Sequence, residues 1–504
     1  MKKNFLSFSL SLFLSFFLSS SIQSAPHFEF TASARKAYQH IISLRFGEAT
    51  ALLAEIQLAD PENLILPYLW DDMDFLTFLI KEDKGDFEKY LTRRDSRLKS
   101  IKKGPQDSPY YLYTQAEINF HWAIARFKLE GLGMSSSLSL KEAYTAYNQL
   151  VKNNSKFPDF MPNRKDLGII HAAIGTLPDE LKWAAKVFGA KGTIAQGQKE
   201  IQEVLEYARK NPSFVFQEET AVMYSFALLY LGNQSDDAWN IIQTAKLNPK
   251  QNPLAALLMA NAAMRIGKNE DAIGFLSNCP RGKQYFPCPY IDYLTGVAKL
   301  RRLDSDANVF LSKFVQNYKG RTLIKEVYQK LGWYSLINGD EKGYWDNMQL
   351  CKSKGNTYSD LDKAALREAE KANKPDATLL KARLLFDGGY YNNAYDLMKA
   401  KQVSEFGLDK RLTLEYTYRL GRITHKLNNT SEALRLYQST IDNGKKEPYV
   451  FACNAALQIG LIYESKSEIE NAATYYQLCL DISPDEYAWG LHQQAKAGLN
   501  RLGR

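Results

Sequence analysis

The stretch Ala455–Pro484 reads A-A-L-Q-I-G-L-I-Y-E-S-K-S-E-I-E-N-A-A-T-Y-Y-Q-L-C-L-D-I-S-P. Its small, aromatic and proline positions fall at the intervals of two antiparallel helices in a repeat of about 34 residues. Gly460 lets the first helix (A) lie close to its partner, and Ala472 lets the second (B) approach in return. Tyr463 and Tyr476 are the sizes that fill the space between them. Pro484 stops helix B, because its ring cannot continue the hydrogen-bond ladder. One such pair cannot bury its apolar face alone, so the stretch implies neighbours stacked on both sides.

The spacing is that of a tetratricopeptide repeat, and the small residue opening helix B recurs along the chain. Ala49 in R-F-G-E-A begins the series. Ala238 to Ala272 is 34 residues and Ala272 to Ala307 is 35; Ala394 to Ala433 and Ala433 to Ala472 are both 39. The longer interval implies about five extra residues in longer turns or helices. Gly343 is expected to hold a degenerate slot between Ala307 and Ala394. The pattern predicts an all-α, tetratricopeptide-type superhelix. Trp70 to Ile80 is expected to be a strongly apolar helix, and Ser108-Pro109 to open a long one over Tyr110 to Leu129.

Composition is that of an ordinary soluble chain: 504 residues, 45% hydrophobic, 24% charged, formal net charge +8. So mild an excess over so long a chain argues against a nucleic-acid reader. The densest basic stretch, Arg93-Arg94 to Lys102-Lys103, is expected to be a solvated helix face.

Residues 1–24 have the pattern of a secretory leader: Lys2 and Lys3, an apolar run from Phe5 to Leu18, then small residues through Ser24. The apolar run is shorter than the roughly 20 residues a spanning helix needs. The expected organisation is a leader over 1–24, an N-terminal helical repeat region over 25–210, and a tetratricopeptide solenoid over 211–504, in the periplasm or outside the cell. Export makes the five cysteines relevant. Cys279 and Cys288 bracket a proline-rich loop and are a possible disulfide. Cys453 and Cys479 fall near the start of helix A and the end of helix B of one repeat, ends that antiparallel helices bring together, as a bridge or as two small buried residues. Cys351 is left over.

Residues Phe157 to Leu205 depart from an average repeat. Gly168, Gly175, Leu177, Pro178, Gly189, Gly192 and Gly197 resemble the central module of the eukaryotic inclusion-body clearance family, also called the tetratricopeptide-39 family, and of its exported bacterial relatives. There a two-glycine helix runs into a Leu-Pro turn, and a G-x-x-G turn precedes the next helix B. The resemblance implies a helical repeat protein without a known catalytic centre. The eukaryotic members are intracellular, so their physiological role is not transferred to a chain with a leader. The residues support structural glycines: Gly168 and Gly175, seven apart, share a helix face.

The chain is expected to be non-catalytic, with no cofactor and no metal site. There is no H-E-x-x-H, no G-x-S-x-G and no Gly-Lys-Ser/Thr after the glycines. His121 and His171 fall on apolar helical stretches and read as packing residues. Asp71 and Asp72, adjacent on a helix, are expected to point apart. Helix A lines the concave face of such superhelices, and its register offers Asn261, Arg383, Tyr418, Arg422 and Asn454 as binding residues. Arg383 and Arg422 share one register position and suggest a short ladder for acidic groups. The expected function is a protein-binding scaffold of the bacterial envelope with an unidentified protein partner. The alternative is a module capturing glycans or other small molecules on Tyr and Trp faces such as Trp333-Tyr334 and Tyr390-Tyr391.

Overall fold

A computed structural model describes residues 25–130, 136–176, 189–231, 234–245 and 247–504. The leader-like segment, with Leu177 and Pro178, lies outside them. Among the described residues every regular element is a helix, and the only β-type contact is a parallel bridge between His27 and Asn63. The chain is an all-α stack of antiparallel helix pairs, as its repeats predict. The apolar helix spans Ile65–Lys81 and the long one Pro109–Glu130.

One hydrogen-bonded turn recurs between helix A and helix B. A residue with positive φ ends the A helix at Leu44, Gly267, Leu303, Gly339, Gly389, Asn428 and Ser467. The next backbone N–H then bonds back to the carbonyl five residues earlier: Arg45 to His40, Lys268 to Ala263, Asp304 to Lys299, Asp340 to Ser335, Tyr390 to Leu385, Asn429 to Thr424 and Glu468 to Tyr463, all at 2.8–3.0 Å. This closure satisfies carbonyls that a helix end would otherwise orphan. It sets a ruler: five residues after the positive-φ position the side chain is buried in six of the seven turns, the exception being Leu303, where Ala307, four residues on, is buried and Asn308 is half-buried. Ala49, Ala272, Ala394, Ala433 and Ala472 occupy that slot at 0% exposure. In the pair after Gly339 the slot belongs to fully buried Tyr344, not to Gly343 as the sequence suggested. Gly343 instead receives the cap of Asp340, whose carboxylate accepts its N–H at 2.8 Å.

Opposite the slot, a glycine in helix A receives a side chain from helix B. A Cβ on Gly460 would stand 2.7 Å from the Tyr476 ring, and one on Gly421 would stand 3.1 Å from Tyr437. Gly332 faces Met348 and Gly296 faces Leu311 in the same way, at 2.5 and 2.6 Å. The extra residues of the C-terminal units lie in longer helices: Lys410–Lys426 has 17 residues where Pro253–Arg265 has 13. The glycine module uses the same principle at its limit. Helices Pro162–Gly175 and Ile194–Lys210 cross so closely that a Cβ on Gly197 would meet the Gly168 carbonyl at 2.1 Å.

The stack also touches itself over long distances. The turn at Gly267 packs on the turn at Gly389, Asn269 Nδ2 donates to Tyr390 Oη at 3.1 Å, and that hydroxyl donates to Glu270 at 2.8 Å. Buried Glu82, capping helix Ile65–Lys81, accepts from Tyr290 Oη at 2.5 Å and from the Thr322 hydroxyl at 3.0 Å, and pairs with Lys128 at 2.7 Å. Those partners hold its carboxyl below the usual range against the opposing effect of burial.

Candidate functional site

The A helices line one groove. Helix Gln217–Phe226 with its π-helical continuation to Leu231, then Pro253–Arg265, Tyr290–Arg302, Ile324–Ile337 and Ala377–Asp387, surround a volume of ≈ 760 Å³. Its walls are Leu257, Leu258, Val297, Leu361 and Leu384, with Arg265, Arg301, Lys330 and Arg383 set against Glu326 and Asp387.

The cations are held on aromatic faces. Arg265 lies 4.7 Å from the Tyr230 ring centroid, Lys330 3.7 Å and Arg383 4.8 Å from that of Trp333, and Arg422 4.4 Å from that of Phe386. Each of the three arginines leans on a ring from an earlier A helix. This is the register relation expected of Arg383 and Arg422, with the rings added. Each such contact contributes about 0.5–2 kcal/mol, depending on desolvation, and it fixes the guanidinium while leaving its edge for a carboxylate. Lys330 is buried enough to pull its ammonium down from the ordinary lysine value, with Glu326 opposing that shift from 3.6 Å.

Of the residues expected at the concave face, Asn261 and Arg383 line the groove. Asn261 is exposed and accepts from Tyr230 Oη at 2.7 Å. Arg422 and Asn454 are half-buried and lie outside the groove lining; Asn454 accepts from Gln458 at 3.3 Å. Tyr418 is a correction. At 5% exposure it packs between Tyr437 and Phe451, with centroids 6.3 and 5.6 Å away. Helix A is covered by its own helix B and by the next pair, so only a narrow stripe of it faces the groove. Tyr230 with Arg265, and Trp333 as the ring under Arg383, escaped sequence reading because ring and cation belong to different helices. Their separations, 35 residues in one case and 50 in another, follow unit length and not a fixed motif.

A second concentration of polar groups lies in the N-terminal half. Lys165 is fully buried, with Nζ 2.5 Å from Asp166, 2.7 Å from Glu219 and 3.6 Å from Glu117. Burial opposes its charge, but Asp166 and Glu117 prevail and hold the ammonium well above its ordinary value. Glu117, Asp166 and Glu219 bring ligand atoms within 4.8 Å of one another. The Lys165 ammonium already takes the place among them that a metal ion would fill.

Beside it, Asp71 and Asp72 do not point apart. Both are buried and both approach His121 Nδ1, at 3.5 and 3.7 Å. His121 stacks on Phe75 at 4.2 Å. Burial alone would lower its pKa, yet Asp71, Asp72 and Glu117 raise it to about 9. The basic stretch is a solvated face at Lys99, Lys102 and Lys103, as expected, but its arginines supply partners to buried acids, which corrects that reading in part. Arg97 reaches Asp71 at 3.3 Å and Asp74 at 2.7 Å, Arg93 reaches Asp74 at 3.0 Å, and Arg94 pairs with Glu142 at 2.5 Å. Arg94 and Arg97 are largely buried. The signal was present in L-W-D-D-M-D-F, because three aspartates inside an apolar helix have no solvated face to occupy. His171 pairs with Glu200 at 2.6 Å.

Cys453 and Cys479 meet at 3.6 Å between sulfurs, both buried. Cys279 and Cys288 are thiols that burial pushes up to about 11 and about 12.

No family model matches the chain, and no curated protein matches it. Among solved structures it is similar to the TPR domain of P58(IPK), at 14% identity over 86% of this chain and 98% of that one, with a TM-score of 0.22. It is likewise similar to the APC/C hetero-tetramer Cut9-Hcn1, at 13% identity over 91% and 95%, with a TM-score of 0.23. At such scores the fold assignment rests on this chain's own recurring turns. No helix among the described residues is long and apolar enough to cross a membrane.

Proposed function

We propose that this chain is a non-catalytic scaffold that holds an extended or helical segment of a partner protein in the A-helix groove. The observation that carries the reading is the set of cations fixed on rings along that groove. It suits a segment offering carboxylates beside apolar side chains. The matching test is recovery of partners by affinity capture from the native cell, comparing the wild type with a variant carrying Arg265→Glu and Arg383→Glu, two cations of the groove wall. The double variant is expected to lose the recovered partner at least tenfold. Undiminished recovery with the fold intact would contradict the proposal.

We place the protein in the bacterial envelope on the strength of the leader pattern over 1–24. Amino-terminal sequencing of the mature protein should begin at Ala25; a retained Met1 in a cytoplasmic fraction would overturn that location. Kinship with exported relatives of the tetratricopeptide-39 family is proposed on the same footing. It is supported by Gly168, Gly175, Gly192 and Gly197, each of which stands against the paired helix or the turn before it closely enough to leave no room for a Cβ. Glycan capture would need a row of exposed rings, whereas Trp333 is buried and Tyr390 is engaged with Asn269 and Glu270.

A further inference from the structure

A separate cavity of ≈ 210 Å³ opens between helices Ala32–Ile42, Ile65–Lys81, Pro109–Glu130, Gln217–Phe226 and Pro253–Arg265. It is larger than the ~150 Å³ engineered void that accepts benzene. Its half-buried rim is mainly aliphatic, with Ile42, Leu76, Val222, Leu247, Leu254 and Leu258, and includes Glu218 and Glu219. Its buried end presents Asp72, Glu117 and His121.

Asp72 is the decisive group. It is 7% exposed, it lines the cavity, and neither carboxylate oxygen accepts a hydrogen bond. The nearest cation, His121 Nδ1, is 3.7 Å from Oδ1, beyond hydrogen-bond reach. Every comparable acid nearby is served. Asp71 accepts from Trp122 Nε1 at 3.1 Å and meets Arg97, while Glu219 takes Tyr38 Oη at 2.5 Å and Lys165 at 2.7 Å. The neighbourhood is also short of positive charge. Asp71, Asp72, Glu117, Asp166 and Glu219 face Lys165, His121 and an Arg97 that is shared with Asp74. A buried carboxylate with no hydrogen bond is costly, and here burial, against the opposing pull of His121, drives Asp72 well above the carboxylate range.

We propose that this cavity binds a small organic ammonium, an amine on an aliphatic or aromatic body, with its cation on Asp72 and its body against the aliphatic rim. An inorganic cation fits poorly, since hard cations take six or more oxygen ligands and most of the rim is carbon. This inference is independent of the scaffold reading, because the cavity and the groove share only Leu258.

The probes are benzylammonium and benzyl alcohol, alike in shape and different in charge. Each is titrated calorimetrically into the full-length chain at pH 7 in phosphate and in HEPES. Benzylammonium is expected to bind one to one, at least tenfold tighter than the alcohol. Its heat should differ between buffers as the proton leaves Asp72. Asp72→Asn should bring the amine down to the affinity of the alcohol, and Leu76→Trp, which fills the rim, should abolish binding of both. Should Asp72→Asn not fold, the wild-type preference and its loss in Leu76→Trp decide the matter. Equal affinity for the two probes, no binding of either to the folded wild type, or amine binding that survives both substitutions would overturn the proposal.

Discussion

The last two helix pairs, residues 410–481, and the N-terminal cluster around Lys165 solve the same problem by opposite means. In the former, glycine meets tyrosine and alanine meets helix backbone. Burial there is a matter of volume, and two hydroxyls, on Tyr418 and Tyr437, are left with no hydrogen-bond partner as the cost of using rings to fill the gaps. In the latter, Lys165 lies among Glu117, Asp166 and half-buried Glu219, and His121 beside Asp71, so that charge answers charge, although Asp166 Oδ2 and His121 Nδ1 are left without a hydrogen-bond partner. Packing of the first kind tolerates the loss of a polar atom. Packing of the second kind fails when one partner is removed, because the charge left behind has no water.

The sharpest way to break that contrast is Lys165→Met. It strands three carboxylates and should cost about 3–5 kcal/mol, read as a lowered urea midpoint for the N-terminal transition. A loss near zero would place the acids in solvent. Next comes pH. The folded His121 pKa of about 9 lies above the ordinary 6.5, so its contribution is fully present below pH 6.5 and disappears as pH rises through about 9. Stability should fall by on the order of 3 kcal/mol across that window. His121→Gln should flatten the slope, whereas a slope unchanged in the variant would assign it to other groups.

On the other side of the comparison, Gly460→Val drives a side chain into Tyr476 and should cost about 1–3 kcal/mol. A double variant with Tyr476→Leu should recover part of it, since the two residues touch. The smallest effect tests the volume argument itself. Tyr437→Phe removes an unbonded buried hydroxyl and should be neutral or raise stability by up to about 1 kcal/mol. A clear loss would show that the hydroxyl has a partner in solution.

The same contrast explains what could be read in advance. Regular Gly, Ala and Tyr positions obey a helix–turn–helix interval, so Ala272, Ala394, Ala433 and Ala472 announced their slots. The one slip, Gly343 for Tyr344, arose because a ruler of small residues cannot see a site where a ring does the filling. The charge cluster has no interval. Asp72 and Glu219 are far apart in sequence and converge only after five helices have packed. At the groove, Asn261 and Arg383 were legible because helix A faces inward, while Tyr418 was misplaced because most of helix A is covered. Trp333 under Arg383 was invisible, since unit lengths between them vary.

The groove is the central claim. Its most direct test is a photo-crosslinking phenylalanine analogue placed in living cells either at Asn261 inside the groove or at Asp346 on the exposed side of a helix B. The account predicts one discrete protein adduct from position 261 and none from 346. Adducts of equal yield from both positions, or from 346 alone, would contradict it.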